Sequence, residues 1–261
     1  MNPNQQLSSG NESCPVCHGM GWQLETRTVF DYGPAKELVY AVPCKKCTGY
    51  RRVYDQTGVP DEFREADIGK FKFDSYSKDM SKIYKLAVSF LQDFPKWQNA
   101  GKGLYMWSKT PGSGKTFLSC CIAKSVMIKY DLQMRFITAP DYIAAVGDSY
   151  KRERGELDTS SIYRECTLLI LDDIGAQADK EWQRQEMFRL INNRMERGLI
   201  TLYTSNAPVE NLNVDDRTKD RIIKTSVIFN MPEESIRRIK AKSEQNEFLR
   251  NIIGGEPDEK L

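Results

Sequence analysis

The chain has 261 residues, of which 40% are hydrophobic and 28% are charged, and its formal net charge is +2. These proportions are typical of a soluble globular protein, and the lack of any run of about 18 apolar residues predicts no membrane span. The nearly neutral charge excludes an overall basic field, so any contact with nucleic acid must come from a local patch. Residues 1–13 are polar and lack the apolar core of a signal peptide, which predicts a cytoplasmic protein.

Four of the seven cysteines form two C-x-x-C pairs, and 26 residues separate the pairs. In a reducing compartment, such cysteines indicate a metal site rather than disulfides. Two pairs in this arrangement are typical of a four-cysteine zinc ribbon, in which Zn²⁺ is structural. The predicted ligands are Cys14, Cys17, Cys44 and Cys47. The alternatives are His18 as a substitute ligand and redox use of one pair, whereas a c-type haem at "CPVCH" would require export.

The N-terminal part of the chain reads as a small module followed by a linker. Residues 1–54 contain the paired cysteines and two β-like runs, at 26–30 and 37–42. We expect residues 1–12 to be disordered. This segment is too poor in apolar residues for a large core, so we expect a metal to stabilise it. Residues 55–80 are turn-rich and polar, and they predict a linker that packs on the next domain.

From residue 81 to 261, short apolar runs alternate with segments of helical spacing. This alternation predicts an α/β domain whose parallel sheet is covered by helices on both faces. The predicted strands are 103–108, 134–139, 166–173 and 200–206, and the predicted helices are 81–94, 114–130, 140–152, 180–198 and 217–253. The remaining cysteines lie in apolar surroundings and are interpreted as small buried hydrophobes: Cys120, Cys121 and Cys166.

The stretch "KTPGSGKT", residues 109–116, lies between a predicted strand and a predicted helix. Its glycines allow backbone N–H groups to surround phosphate oxygens at the helix N-terminus, where Lys115 would reach the β- and γ-phosphates of ATP and Thr116 would bind Mg²⁺. The usual pattern begins with a glycine where this chain has Lys109, which is feasible if that residue keeps a negative φ. The predicted nucleotide-binding residues of this loop are Gly112, Ser113, Gly114, Lys115 and Thr116.

Two further predicted strands, 166–173 and 200–206, end in polar residues that could act in nucleotide binding and hydrolysis. Behind a phosphate-binding loop, Asp172 would hold Mg²⁺, usually through water, and Asp173 would orient the attacking water. The strand after them ends in Thr204, Ser205 and Asn206, which can touch the γ-phosphate or the water, although Asn-x-Pro is also a turn signal. The three motifs occur in the order expected for an ATPase of the AAA+ superfamily.

Three stretches, "DDIGAQ", "TLYTSNAPVENL" and "MPEESIRRIKAKSEQNEFL", resemble bacterial and phage replicative helicase loaders of the DnaC/DnaI type. The cysteine-rich N-terminus and "GVPDEFREADIGKF" resemble the same family. The resemblance implies that Lys115 and Thr116 belong to Walker A, Asp172 and Asp173 to Walker B, and Asn206 to sensor 1.

The resemblance also implies roles for arginines near the C-terminus. Arg221, beyond the last predicted strand, resembles an arginine finger that acts on a neighbouring subunit's ATP, with Arg217 as the rival candidate. Arg237 resembles sensor 2, with Arg238 as the alternative. For each arginine, a solvated charge on a helix is the competing interpretation.

A loader of this family would use ATP as a switch while a hexameric DnaB-type replicative helicase receives single-stranded DNA. It would self-associate through the ATPase domain and dock on the helicase through its N-terminal module. Asp173 is one methylene shorter than the glutamate common in AAA+ motors, so we expect slow hydrolysis. Basic residues in the segment 141–158 would contact DNA phosphates or be a solvated helix end, namely Lys151, Arg152 and Arg154.

Two other functions are compatible with the sequence. The first is a transposon-type AAA+ ATPase (IstB-like), against which the four-cysteine module counts. The second is a nucleotide-binding adaptor without turnover, which the departure at Lys109 leaves open.

Overall fold

The structure, a computed structural model, describes residues 22–29, 36–43, 57–150, 160–177 and 180–253. Contacts between residues divide the chain into two compact units, Met1–Gly58 and Val59–Leu261. Several predictions lie outside the described residues: the disorder over 1–12, the four zinc ligands with His18, and the basic residues Lys151, Arg152 and Arg154. Among the described residues, every helix is too short or too polar to cross a membrane.

In the first unit, the structure describes a two-stranded antiparallel sheet and residues 57–58. Strand β1 (Trp22–Val29) pairs with β2 (Lys36–Pro43), in a register that joins Trp22 to Pro43 and Val29 to Lys36. The β-like runs predicted at 26–30 and 37–42 overlap these two strands.

The second unit is built on a five-stranded sheet in which every neighbouring pair is parallel. Its strands are β3 (Gly103–Trp107), β4 (Met134–Thr138), β5 (Leu168–Asp172), β6 (Ile200–Ser205) and β7 (Ser226–Asn230). Their order across the sheet is β4-β5-β6-β3-β7, so β6 separates β3 from β5. The α/β class and the parallel sheet predicted from the sequence are confirmed.

The helices of the second unit are α1 (Ser81–Gln92), α2 (Phe94–Asn99), α3 (Lys115–Tyr130), α4 (Ala139–Ser149), α5 (Ser161–Glu165), α6 (Glu181–Glu196), α7 (Asp216–Thr225) and α8 (Ile236–Ile253). Short 3₁₀ turns occur at Asp61–Phe63, Ile68–Lys70, Phe73–Ser75 and Val209–Asn211. The four predicted strands and the first four predicted helices are confirmed, with ends shifted by a few residues.

Alternate strand residues point to opposite faces of the sheet, and helices cover both faces. On one face, Tyr105 and Tyr203 pack in a core with Tyr142 of α4, Met187 of α6 and Ile222 of α7. On the other face, α3 contacts β4, β5 and β6 and also packs against α1. The three cysteines predicted to be small buried hydrophobes are buried: Cys120, Cys121 and Cys166.

The prediction of one helical region over 217–253 is wrong, because β7 interrupts it at Ser226–Asn230. Apolar residues at this spacing fit either a helix face or a strand, and the β-branched Val227 and Ile228 favour the strand. The free edge of β3 decides between them by pairing with β7 along its whole length. Arg221 therefore precedes the last strand of the sheet, whereas the sequence had placed it beyond the last strand.

Candidate functional site

The candidate site lies where three adjacent strands end. Parallel strands expose their carboxyl ends at the same edge of the sheet, and in this order β5, β6 and β3 are neighbours. Strand β3 leads into the glycine-rich loop, β5 ends at Asp172, and β6 ends one residue before Asn206. The fold thereby brings together the loop, the acidic pair and the polar strand end that the sequence singled out separately.

Two glycines of the loop adopt a backbone conformation that other residues rarely adopt. Gly112 has φ 79° and Gly114 has φ 89°. A Cβ atom at Gly112 would lie 2.8 Å from Ser235 Oγ, and one at Gly114 would lie 2.5 Å from Tyr76 Oη. Both positions therefore require glycine for conformation and for space.

Lys109 occupies the position of the missing first glycine without backbone strain. Among the described residues, the only non-glycine residues with positive φ are Asp131 and Asp173. Lys109 thus meets the condition that the sequence set for a non-glycine residue at the entrance of the loop.

Lys115 is a nearly buried cation, with 5% of its surface exposed. Its Nζ donates to Asn206 Oδ1 at 3.1 Å, to Ser113 Oγ at 3.3 Å and to Ser108 O at 3.4 Å. Burial lowers the pKa of Lys115, and the nearby charges of Asp173 and then Asp172 oppose that shift. Because the acceptors that Lys115 Nζ contacts among the described residues are neutral, a phosphate would add a charged acceptor in direct contact with this ammonium, and the site fits ATP.

Asp172 is the buried acid of the site, and it accepts hydrogen bonds from two hydroxyls. Its Oδ1 accepts from Thr204 Oγ1 at 2.6 Å and from Thr116 Oγ1 at 2.9 Å. Burial raises the pKa of Asp172 to about 6; the bond from Thr204 lowers it, and the charge of Asp173 raises it further. A carboxylate beside a hydroxyl supplies the oxygen ligands that Mg²⁺ prefers with nucleotide phosphates, so the site also fits Mg²⁺.

We expect Asp172→Asn to stabilise the metal-free protein at neutral pH. The pKa of Asp172 in the folded chain is about 6, above the value near 3.9 in an unfolded chain, so burying the ionised form costs stability above pH 6. The amide removes this cost and should raise the free energy of unfolding by about 1–3 kcal/mol at pH 7.5, with the gain shrinking towards pH 4. Denaturant unfolding without Mg²⁺ or nucleotide measures it.

Asp74→Asn, which replaces an exposed carboxylate, is the control and should leave the free energy of unfolding at pH 7.5 unchanged. A loss of stability in Asp172→Asn at pH 7.5 would contradict the expectation. It would mean that the bonds from Thr116 and Thr204 outweigh the cost of burial.

Asp173 differs from its neighbour in both conformation and surroundings. It has φ 51°, a left-handed conformation that aspartate tolerates, and its N–H donates to Thr204 Oγ1 at 3.0 Å. It lines a small cavity of about 190 Å³ together with Gly175 and Asn206. The site therefore holds one buried carboxylate and one that faces a water-accessible space beside Asn206.

The two sensor 2 candidates are not equivalent in the structure. The N–H of Arg237 donates to Gly112 O at 3.3 Å, which places Arg237 against the loop. The N–H of Arg238 donates instead to Ser235 Oγ within the first turn of α8. Of the two, the backbone of Arg237 is the one that contacts the loop.

The two arginine finger candidates lie on the face formed by α6 and α7. The guanidinium of Arg221 lies 4.4 Å from the ring centre of Phe188 and donates to Asn192 Oδ1 at 2.6 Å. Arg217 lies 4.7 Å from the same ring and pairs with Asp215 at 3.4 Å. These contacts hold the side chains of both arginines against α6. Within one chain, Arg221 therefore does not reach the phosphate-binding loop.

Sequence reasoning missed two side chains that touch the loop. Tyr76 Oη donates to Ser113 O at 2.9 Å, and burial, with the charge of Glu234, raises the pKa of Tyr76 to about 12. The carboxylate of Glu233 accepts from the N–H groups of Lys109 and Thr110. Both residues are far from the loop along the chain, and no local pattern marks either one.

The sheet order, the glycine-rich loop, the buried lysine and the acid at the end of β5 define a P-loop nucleotide-binding domain of the AAA+ type. The model of the family described as "IstB-like ATP binding protein" matches residues 65–245. The chain belongs to this family of AAA+ ATP-binding proteins, which confirms at that level the family inferred from the motifs.

Two curated relatives come from Bacillus subtilis (strain 168). The "Replicative helicase loader DnaI" is 31% identical over 133 residues, which cover 49% of this chain and 42% of that protein. The "Uncharacterized protein YqaM" is 23% identical over 188 residues, covering 69% of this chain and 58% of that protein. The chain thus spans about half the length of the curated relatives it matches.

A solved structure supports the fold. The "Crystal structure of the DnaC helicase loader" is 20% identical with a TM-score of 0.56, and the match covers 66% of this chain and 100% of that one. At this identity, the likeness shows a shared fold and no more.

Proposed function

We propose that this protein is an ATP-dependent helicase loader, which binds a hexameric DnaB-type replicative helicase and delivers it onto single-stranded DNA. The observation that carries the proposal is the site at the ends of β3, β5 and β6, where the nearly buried Lys115 donates to neutral acceptors of the described residues and Thr116 donates to Asp172. The similarity to DnaI, named as a replicative helicase loader, supports the choice of partner.

The side chains of the site divide the work of binding and hydrolysis. Lys115 would bind the β- and γ-phosphates, and Thr116 with Asp172 would hold Mg²⁺. ATP with Mg²⁺ supplies the phosphoryl-transfer chemistry when bound. Asp173 and Asn206 would orient water in the cavity that they line, and the short arm of Asp173 predicts the slow hydrolysis that suits a switch.

The sensor and finger arginines would report the state of the nucleotide. Arg237, whose backbone contacts Gly112, is the proposed sensor 2 residue. Arg221 is the proposed arginine finger, which requires that subunits self-associate through the ATPase domain so that it reaches a neighbour's ATP. Lys151, Arg152 and Arg154 are proposed contacts to single-stranded DNA.

The N-terminal part is proposed to be a separate module. Zn²⁺ on Cys14, Cys17, Cys44 and Cys47 would stabilise residues 1–54, which would dock on the helicase. Residues 55–80 would link this module to the ATPase domain at 81–261.

Co-purification with the replicative helicase of the host or phage, followed by ATP hydrolysis assays, tests the proposal. We expect a stable complex with the helicase and slow hydrolysis that single-stranded DNA stimulates. Binding of ATP without any turnover, with or without DNA, would instead favour the adaptor.

A transposon-type ATPase is the second candidate, and the match to the IstB-like family model favours it. The two candidates differ in their protein partner. Association with a transposase, and none with a replicative helicase in the same assay, would replace the loader by this second function.

A further inference from the structure

The connection from β7 to α8 runs alongside the entrance of the phosphate-binding loop. At its start, Met231 N donates to Trp107 O at 2.7 Å, and at its end, Arg237 N donates to Gly112 O at 3.3 Å. Between these contacts, the carboxylate of Glu233 faces the first residues of the loop. The connection therefore follows the loop from the end of β3 to Gly112.

Glu233 binds the loop entrance with both of its carboxylate oxygens. Oε1 accepts from the N–H of Lys109 at 3.0 Å, and Oε2 accepts from the N–H of Thr110 at 2.8 Å and from its hydroxyl at 2.9 Å. Oε2 also accepts from Ser108 Oγ at 3.1 Å. Hydrogen bonds to a charged acceptor are stronger than those to a neutral one, so one side chain holds three consecutive residues where the strand becomes the loop.

Attraction to ATP does not account for a carboxylate at this position. Partial burial opposes ionisation of Glu233, but hydrogen bonds from Lys109, Thr110 and Ser108 hold its pKa below the ordinary value, so it is ionised at neutral pH. A negative charge near the phosphate site repels a polyphosphate ligand. Apart from its small support for the charge of Lys115, Glu233 can therefore favour ATP binding through the conformation that it imposes on the loop.

The loop has a specific need for such support. A glycine at its first position would open the turn, whereas this chain has Lys109 there, with no positive φ. The Lys109 and Thr110 N–H groups point out of the loop towards Glu233, and its carboxylate fixes both at once.

We propose that Glu233 is a positioning residue for the phosphate-binding loop, whose paired hydrogen bonds to Lys109 and Thr110 hold the entrance in the conformation that receives ATP. This inference rests on the proposed binding of ATP at Lys115. If the loop without the carboxylate is competent only a tenth of the time, the apparent Kd for ATP rises about 10-fold.

Titration of the full chain with Mg²⁺-ATP tests the proposal, because loss of a positioning residue should raise the Kd for ATP, whereas loss of a repelling charge should lower it. We expect Glu233→Ala to weaken ATP binding about 10-fold, and Glu233→Gln about 3-fold because one oxygen remains an acceptor. The KM for ATP should rise in parallel while kcat at saturation stays the same, because the loop is ordered once ATP is bound.

Glu234→Gln is the matched control. It removes the same charge one residue further on, and its amide oxygen can still accept from Ser77, which Glu234 binds at 3.0 Å through N–H and at 2.6 Å through Oγ. This variant should bind ATP as the wild type does or slightly more tightly. Thermal unfolding without nucleotide checks that each variant is folded, and Glu233→Gln carries the test if the alanine variant is not.

Three results would overturn the inference. If both Glu233 variants bind ATP as tightly as the wild type or more tightly, while Lys115→Ala loses binding, Glu233 is only a nearby charge and the nucleotide site stands. Equal weakening by Glu234→Gln would show that the effect does not depend on the contact between Glu233 and the loop. If Lys115→Ala itself binds ATP like the wild type, the proposed nucleotide site is wrong and the inference fails with it.

Discussion

Lys115→Ala should weaken ATP binding by about 100-fold or more, because the ammonium would bond to phosphate in the ground state and alanine would not replace its charge. Lys115 has 5% of its surface exposed and hydrogen-bonds to neutral oxygens, so the alanine variant removes a charge already placed for phosphate. Direct titration with ATP measures the loss. Lys96→Ala, which removes an exposed lysine of α2, is the control and should bind ATP as the wild type does.

Replacing Asp173 should have the opposite profile, with ATP binding retained and hydrolysis lost. Asp173 faces a cavity beside Asn206, where it would orient water and not hold the nucleotide. Loss of a positioned group that assists proton transfer typically costs about 100-fold or more in rate. Asp173→Asn should be measured beside Asp173→Ala, because asparagine tolerates the left-handed φ of 51° better than alanine.

Comparing the Lys115 and Asp173 variants distinguishes an error in the proposed binding site from an error in the proposed water-orienting residue. Equal ATP affinity in the wild type and Lys115→Ala would show that the loop does not bind phosphate. Wild-type hydrolysis in both Asp173 variants would leave the binding site intact and move the role of the water-orienting residue elsewhere.

Arg221→Ala should leave ATP binding by isolated subunits intact and abolish the extra hydrolysis that appears when subunits gather on helicase or single-stranded DNA. An arginine finger stabilises charge on a phosphate bound by another subunit and is worth about 1,000-fold or more in rate. Within one chain, Arg221 contacts Asn192 and Phe188 on α6, not the loop, so the variant removes nothing from its own site.

Mixing Arg221→Ala with Lys115→Ala makes the test sharper. The Lys115→Ala chain still carries a finger, which could serve the intact site of the Arg221→Ala chain, so the mixture should recover activity that neither variant has alone. Arg217→Ala is the matched control, since Arg217 lies over the same Phe188 ring. If the mixture stays inactive while both variants assemble, or if Arg221→Ala hydrolyses ATP like the wild type, Arg221 is a surface charge and Arg217 becomes the candidate.

Much of the fold and of the candidate site could be predicted because their signals are local. The apolar run before Asp172 and the glycines before Lys115 each lie within a few residues of the feature that they mark. A strand, a turn or a helix start depends mainly on such neighbours, so the motifs and their order along the chain were readable. The strand at Ser226–Asn230 was missed because its local pattern fits a helix as well, and pairing with β3 decides the outcome.

By itself, the sequence determined which side chains are proposed to carry the chemistry: the lysine and threonine of the loop, two consecutive aspartates, and a polar strand end. Only the tertiary structure decided how they act together. Thr204 bonds to Asp172 across 32 residues, Tyr76 holds Ser113 across 37, and Glu233 reaches Lys109 across 124. Such contacts depend on which strands become neighbours in the sheet, and that order follows from the burial of the whole domain, which no local stretch of residues specifies.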